Sequence, residues 1–292
     1  MKILISGATG FIGKNLSIAL TEKHEIHVLG RSSSNISDFN HVFYFENNIS
    51  ELHDYLEKHQ IAGIIHLASL FLSSHKNTDI ENLIESNILL GTSLLEAAQN
   101  TSIRWFLNAG TFWQHYDFNS KNYNPVNLYA ATKQAFIDLA KYYTETSDIK
   151  FVTLKICDTF GSGDTRLKIF NLWNKISETG ETLVMSPGEQ YIDMLYIDDV
   201  VDGFVRLVHL LNSDEKLEAD YALYAETRYK LKELSVLYQN ATGKKLNIQW
   251  GKREYRTREV MEPWKMGNRL PEWKAKVSME DGILKTMGLC ME

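Results

Sequence analysis

Lys2-Ile3-Leu4-Ile5-Ser6-Gly7-Ala8-Thr9-Gly10-Phe11-Ile12-Gly13 opens the chain with an apolar run, a loop holding three glycines and the start of a helical pattern that carries on to Glu22. A glycine pattern becomes an expectation of phosphate binding when it sits between a strand and a helix, as it does here. Gly7 permits the tight turn, Gly10 lets the backbone approach a pyrophosphate, and Gly13 lets helix and strand pack closely. The helix N-terminus adds N–H groups and a partial positive charge. Gly7, Thr9, Gly10, Phe11, Ile12 and Gly13 are therefore the expected phosphate side of a dinucleotide site.

Outward from this loop the same alternation repeats. Apolar runs lie at Ile26 to Leu29, Ile61 to Leu67, Trp105 to Asn108 and Phe151 to Ile156, with helical patterns at Ile80 to Gln99 and Leu128 to Thr144. Strand, helix, strand in succession means a parallel sheet with helices on both faces, and strands covered on both faces read as continuous Ile, Val and Leu. The expected fold class is α/β, a doubly wound parallel Rossmann sheet with a smaller C-terminal substrate-binding lobe. Residues 1–160 with about 192–212 form the first domain in this reading, and 161–191 with 213–292 form the lobe. The run near Tyr196 and the helix Asp198 to Leu211 are expected to return to the first domain.

Composition narrows the class of partner. The net charge of −6 gives no broad basic surface, so neither nucleic acid nor an anionic membrane is an expected partner. No window approaches a membrane-spanning length, Met1 leads straight into a strand pattern without a signal-like segment, and a cytoplasmic protein is expected. The two cysteines, Cys157 and Cys290, have no Cys-x-x-Cys spacing, and the nine histidines include no His-Glu-x-x-His. His24 and His27 are read as solvated or capping groups, and no metal is expected.

The second strand ends His27-Val28-Leu29-Gly30-Arg31-Ser32, without the acidic residue that binds a ribose 2'-hydroxyl in NAD sites. Arg31 and the serines after it suit a 2'-phosphate, because guanidinium pairs with phosphate through charge-assisted hydrogen bonds. NADP(H) is the expected cofactor. Further along, Tyr129-Ala130-Ala131-Thr132-Lys133 opens a helix, and the i, i+4 spacing puts phenol and ammonium on one face. A neighbouring ammonium lowers a phenol pKa, which suits Tyr129 to protonate a carbonyl oxygen as hydride arrives.

These motifs, with His66-Leu67-Ala68-Ser69, Asn87, Phe160-Gly161-Ser162-Gly163-Asp164 and Tyr196-Ile197-Asp198-Asp199-Val200, resemble an extended short-chain dehydrogenase/reductase. Within that superfamily the chain resembles the NAD-dependent epimerase/dehydratase family. Phe106-Leu107-Asn108, Phe112-Trp113-Gln114-His115-Tyr116 and Gly188-Glu189-Gln190 are similar to the CDP-abequose and CDP-paratose synthase type of 4-ketosugar reductase. The resemblance implies that Tyr129 donates the proton, that Lys133 holds the nicotinamide ribose, and that Leu67, Ala68 and Ser69 border the cofactor. Asn48 and Ile49 join the expected cofactor set.

Two departures stand out. Such enzymes place a Ser or Thr at the end of the strand before the tyrosine helix; reading straight on, that column is Ala109, and Thr111 lies two residues later on the same face. Either Thr111 covers the role or Ala109 marks a weakened site. Ile192 stands where the family usually carries an arginine near the nucleotide phosphates, which makes Arg256 and Arg258 the expected substitutes. No Asp-Glu pair follows either column, against a 4,6-dehydratase. Trp113, among Phe112, Tyr116, Phe118 and Tyr123, is an expected wall for sugar or base. Tyr142 and Tyr143 belong either to a helix-pair dimer interface, which the resemblance implies, or to the core.

The expected enzyme is an NADPH-dependent oxidoreductase, a nucleotide-sugar 4-ketoreductase acting at C4 of a CDP- or dTDP-linked 4-keto-6-deoxy or 3,6-dideoxy hexose. The product would serve surface polysaccharide such as O-antigen, and the enzyme would be a homodimer. The rival readings are a 4-epimerase and a non-catalytic NADP-sensing protein of the same fold.

Overall fold

The computed structural model describes residues 1–34, 36 and 38–289; Cys290 lies outside them. In chain order the first half contains β1 (Lys2–Ser6), α1 (Phe11–Thr21), β2 (Glu25–Gly30), β3 (His41–Tyr44), α2 (Ile49–His59) and β4 (Gly63–His66). It continues with α3 (Ile80–Ile84), α4 (Leu90–Ala98), β5 (Trp105–Thr111), α5 (Leu128–Thr146) and β6 (Lys150–Ile156). The second half contains β7 (Asp158–Phe160), α6 (Ile169–Thr179), β8 (Leu183–Met185), β9 (Tyr191–Ile192), β10 (Met194–Tyr196) and α7 (Ile197–Leu211). After these come β11 (Asp220–Leu223), β12 (Tyr229–Lys230), α8 (Leu231–Thr242), β13 (Ile248–Trp250) and α9 (Met279–Thr286).

The main sheet has seven strands in the order β11-β6-β5-β4-β1-β2-β3, every pair parallel. Alternate side chains feed two cores. Ile3 and Ile5 pack on one face with Leu16 of α1 and Phe204 and Leu207 of α7, while Leu4 and Ile64 pack on the other with Leu52, Leu94 and Phe136 of α2, α4 and α5. This is the doubly wound architecture expected from the apolar runs. The strand order reverses between β1 and β4, which opens a crevice at their carboxyl ends.

Several elements depart from the sequence reading. β3 and α2 were not anticipated: β3 is only half-buried, and α2 buries just Leu52 and Leu56. β11 forms the edge of the main sheet beside β6, so residues 220–223 belong there rather than to the smaller lobe. Helix α7 does return to the first core, but β10 pairs with β7 outside the main sheet, and its Met194 and Tyr196 pack in the core of the smaller lobe. The expected helix Ile80 to Gln99 is broken by a π turn at Glu85–Leu89. Buried Asn87 sits in that turn and bonds Leu70 N at 2.7 Å, Leu70 O at 3.1 Å and Thr132 Oγ1 at 2.9 Å. One side chain thus ties the loop after β4 to α5, as π turns at functional sites often do.

Candidate active site

The carboxyl ends of β1, β4, β5 and β6 enclose a crevice of about 560 Å³. Its phosphate side is lined by Gly7, Gly10, Phe11, Ile12 and Gly13. Gly7 has φ +78°, and a Cβ there would lie 2.6 Å from Ala68 N, so only glycine fits without strain. A Cβ at Gly13 would collide with Gly7 O, whereas one at Gly10 would meet only Gly7 O, at 3.3 Å. The loop is therefore packed tightly on its inner side and open outward at Gly10. Helix α1 has no side-chain cap and no acidic residue in its first turn, which leaves its first N–H groups for an anion. These residues fit the pyrophosphate of a dinucleotide.

At the far end of β2 the arrangement is looser. Arg31 is exposed, and the Ser32 N–H donates to Glu46 Oε1 at 3.1 Å. A side chain at Gly30 would come within 2.6 Å of Ile36 Cδ1, so packing accounts for glycine where an acidic residue was absent. Arg31, Ser32, Thr9, Ala68, Asn48 and Ile49 lie outside the crevice lining, with Ala68 beneath Gly7. Asn48 caps α2, its Oδ1 accepting from Glu51 N at 3.3 Å, and Ile49 is the first residue of that helix.

Leu67, Ser69, Thr111, Tyr129 and Lys133 line the middle of the crevice. Asn127 caps α5 by accepting from Ala130 N at 3.0 Å and so fixes where the helix begins. Lys133 is buried and makes no hydrogen bond or ion pair among the described residues. Burial brings its ammonium down to about 8, so it remains charged at neutral pH. Tyr129 differs from expectation. Burial pushes its hydroxyl up to about 12, the Asp158 carboxylate acts in the same direction, and the hydrogen bond with Ser69 opposes them. Lys133, from which a lowering was expected, is not among the groups that set this value; the loss of solvation dominates it.

β5 runs two residues beyond Ala109 and ends at Thr111. Ala109 is packed in the core with Leu107 and Leu154. Thr111 Oγ1 accepts from Trp113 N at 3.3 Å, which leaves its hydroxyl hydrogen free to donate. Gln114 accepts from Thr111 N at 3.0 Å and donates to Gln134 Oε1 at 2.8 Å, fixing this strand end against α5.

The outer end is lined by Trp113, Arg256 and Arg258. Arg258 lies 4.2 Å over Tyr116 and bonds Asn124 Oδ1 at 2.6 Å, with its Nε buried and unpaired. Of the other expected wall residues, Phe112 is buried against Tyr224 and Trp264, and Phe118 and Tyr123 are exposed outside the lining. Sequence reading missed Phe71, whose ring meets Tyr129 at 5.0 Å and Trp113 at 5.4 Å. It also missed Arg166 and Lys168, which line the crevice over the rings of Phe11 and Phe71. Their proximity to the Gly161-Ser162-Gly163-Asp164 turn was the available signal. Tyr143 is buried and donates to Glu96 Oε2 at 2.9 Å, whereas Tyr142 is 62% exposed.

Beneath Lys133, His66 is fully buried at 2.7 Å from Ser6 Oγ, and burial pushes its imidazole down to about 3. An unfolded histidine titrates near 6.5. As pH falls from about 6.5 toward 3, the unfolded chain gains a proton that the folded chain refuses, so stability is lost. His66→Asn is expected to flatten this decline in urea-unfolding free energy, followed from pH 7 to pH 4. An unchanged slope would assign it to other groups.

Residues 3–221 match the model of the NAD dependent epimerase/dehydratase family. The chain belongs to that family, whose NAD(P)-dependent enzymes modify nucleotide sugars. It is 28% identical over 265 residues to the CDP-abequose synthase of Yersinia pseudotuberculosis, covering 90% of this chain and 92% of that one. Against the CDP-abequose synthase of Salmonella muenchen identity is 27%, with 99% and 97% covered. Among solved structures, UDP-glucuronic acid 4-epimerase from Bacillus cereus with UDP-glucuronic acid and NAD superposes with TM-score 0.85 at 20% identity, over 99% and 98% of the two chains. UDP-glucose 4-epimerase from Thermotoga maritima gives 0.82 at 19% identity, over 99% and 98%. At such identities the structural likeness establishes the fold.

Proposed function

We propose that this protein is an NADPH-dependent reductase of a nucleotide-activated 4-keto-6-deoxy or 4-keto-3,6-dideoxy hexose, acting at C4. CDP- and dTDP-linked sugars are the candidate substrates, and the product serves surface polysaccharide. The observation that carries the reading is a crevice with Tyr129, Lys133 and a hydroxyl at Thr111, in which each lining carboxylate faces a cation. Asp158 meets Lys168 at 2.7 Å, Asp193 meets Arg228 at 2.7 Å, and Glu259 meets Arg256 at 3.8 Å. A dehydratase needs an acid and a base at C5 and C6, and the residues following Thr111 are Phe112 and Trp113. The CDP-abequose synthase relatives support the same reading.

The glycine loop and α1 would hold the pyrophosphate, and Lys133 the nicotinamide ribose. A bound dihydronicotinamide supplies hydride to the C4 carbonyl. Thr111 donates a hydrogen bond to the C4 oxygen, and Tyr129 gives that oxygen its proton. The Lys133 charge favours loss of the Tyr129 proton. Trp113 walls the sugar, and Arg256 and Arg258 meet the diphosphate. The enzyme works in the cytoplasm as a homodimer paired through its helices, a contact that would cover exposed apolar side chains such as Tyr142 of α5.

Thr111→Val should cut kcat/KM by about tenfold or more, equivalent to about 1.4 kcal/mol in the transition state, while Ala109→Thr adds nothing. A rate gain in Ala109→Thr with Thr111→Val near normal would place the missing hydroxyl at Ala109 instead. Arg31→Ala should weaken NADPH by about 1 to 3 kcal/mol, the range for a hydrogen bond to a charged group, and leave NADH nearly unchanged. Equal losses in a binding titration would remove the 2'-phosphate from Arg31. The function itself is tested by NADPH consumption with CDP- and dTDP-linked 4-ketosugars and NMR of the product. A 4-hydroxy sugar formed one for one with NADP⁺ supports it; no consumption across the panel refutes it.

A further inference from the structure

At the amino-terminal edge of the main sheet, opposite the crevice, Glu25, His27 and His41 bring their ligating atoms within 4.8 Å of one another. The sequence spacing had suggested solvated or capping histidines, because the third residue arrives from the unforeseen β3. His27 and His41 are direct neighbours in the β2–β3 register, and Glu25 lies two residues before His27 on the same side of its strand. Glu25 Oε1 stands 2.9 Å from His27 Nε2 and 3.9 Å from His41 Nε2.

We propose that Glu25, His27 and His41 form a binding site for a divalent transition metal of the zinc class. Two imidazoles and one carboxylate are a donor set that zinc accepts, with water completing four-coordination. His27 is prepared for the role. It is fully buried, and its other nitrogen, Nδ1, lies 2.7 Å from the Tyr55 hydroxyl. With zinc on Nε2, the Nδ1–H donates to that oxygen, which fixes the tautomer and ring orientation in the way second partners of metal-bound histidines do.

His41 is the adjustable ligand. Its ring stacks on His27 with centroids 4.6 Å apart and planes 18° apart, and parallel rings cannot both aim a lone pair at one ion. The His41 side chain is 43% exposed and has room to rotate out of the stack. Lys2 Nζ, 3.5 Å from Glu25 Oε1, is the cation that zinc would displace. Bound there, the metal would clamp β2 to β3 and stabilise the folded chain without touching the catalytic crevice.

The test is a calorimetric titration of the tag-free, chelator-treated full chain with zinc chloride, paired with thermal unfolding. One saturable site per chain and a zinc-dependent rise in Tm are expected. His41→Ala and Glu25→Gln, both at exposed positions, should each weaken binding about tenfold or more and remove most of the Tm rise. Tyr55→Phe keeps all three ligands and should weaken zinc by about 10-fold, while His209→Ala on α7 should leave it unchanged. No saturable binding, or equal binding by wild type, His41→Ala and Glu25→Gln, overturns the proposal.

Discussion

Tyr129→Phe is expected to lower kcat by about 100-fold or more, the contribution of a positioned general acid, while leaving the fold and NADPH affinity intact. The substitution removes only the hydroxyl. The ring's edge contact with Phe71 at 5.0 Å survives, as does the cap of α5 by Asn127. The lost groups are the proton that goes to the C4 oxygen and the hydrogen bond with Ser69. Although its pKa stands at about 12, the phenol remains far more acidic than the alcohol being formed, so donation to a developing alkoxide runs downhill. Steady-state rates, with circular dichroism and a cofactor-fluorescence titration, provide the check. Turnover near normal would remove Tyr129 from the chemistry.

Gly7→Ala is expected to cost stability on the order of 3 kcal/mol and to abolish measurable cofactor binding. An alanine at φ +78° is strained by roughly 1 to 3 kcal/mol. Its Cβ would also lie 2.6 Å from Ala68 N and 2.8 Å from Ala68 Cα, both backbone atoms that cannot turn aside. Relief comes only by parting the β1 loop from the β4 loop, and that movement opens the turn meant to hold the pyrophosphate. Urea unfolding and NADPH titration measure the two effects. Wild-type affinity in this variant would show that the loop is not the phosphate site.

Much of this architecture was legible because it depends on patterns within short segments. Ile3, Leu4 and Ile5 announced a strand covered on both faces, and their side chains do divide between the two cores. Gly7, Gly10 and Gly13 announced a tight turn, and close backbone contacts do require glycine at Gly7 and Gly13. What escaped notice depended on partners distant in sequence. β3 exposes too much surface to show a clear apolar alternation, α2 carries Ile49, Leu52 and Leu56 at helical spacing but has a low overall apolar content that let it pass as a connection, and β11 is a four-residue edge strand whose place is set by pairing with β6. The end of β5 was misplaced because Ala109 and Gly110 are poor strand formers that interrupt the apolar run; pairing with β6 carries the strand on to Thr111. Within the crevice, Tyr129 and Lys133 stood out by spacing. Phe71 and Lys168 did not, because their role comes from a meeting of rings and charges across 97 positions of chain. The high Tyr129 pKa was unforeseen for a similar reason, since spacing reveals the neighbouring ammonium and not the loss of solvent.

The central claim is that hydride passes from an exchangeable NADPH to C4 of a ketosugar, and NADPH carrying deuterium in the transferred position tests it most directly. The enzyme is incubated with CDP- and dTDP-linked 4-keto-deoxyhexoses, and the sugar product is followed by proton NMR. The account predicts that deuterium appears at C4, with the H4 signal lost in proportion to the NADP⁺ formed. Inversion at C4 of a 4-hydroxy nucleotide sugar, with protium retained and no net use of NADPH, would contradict it and identify an epimerase.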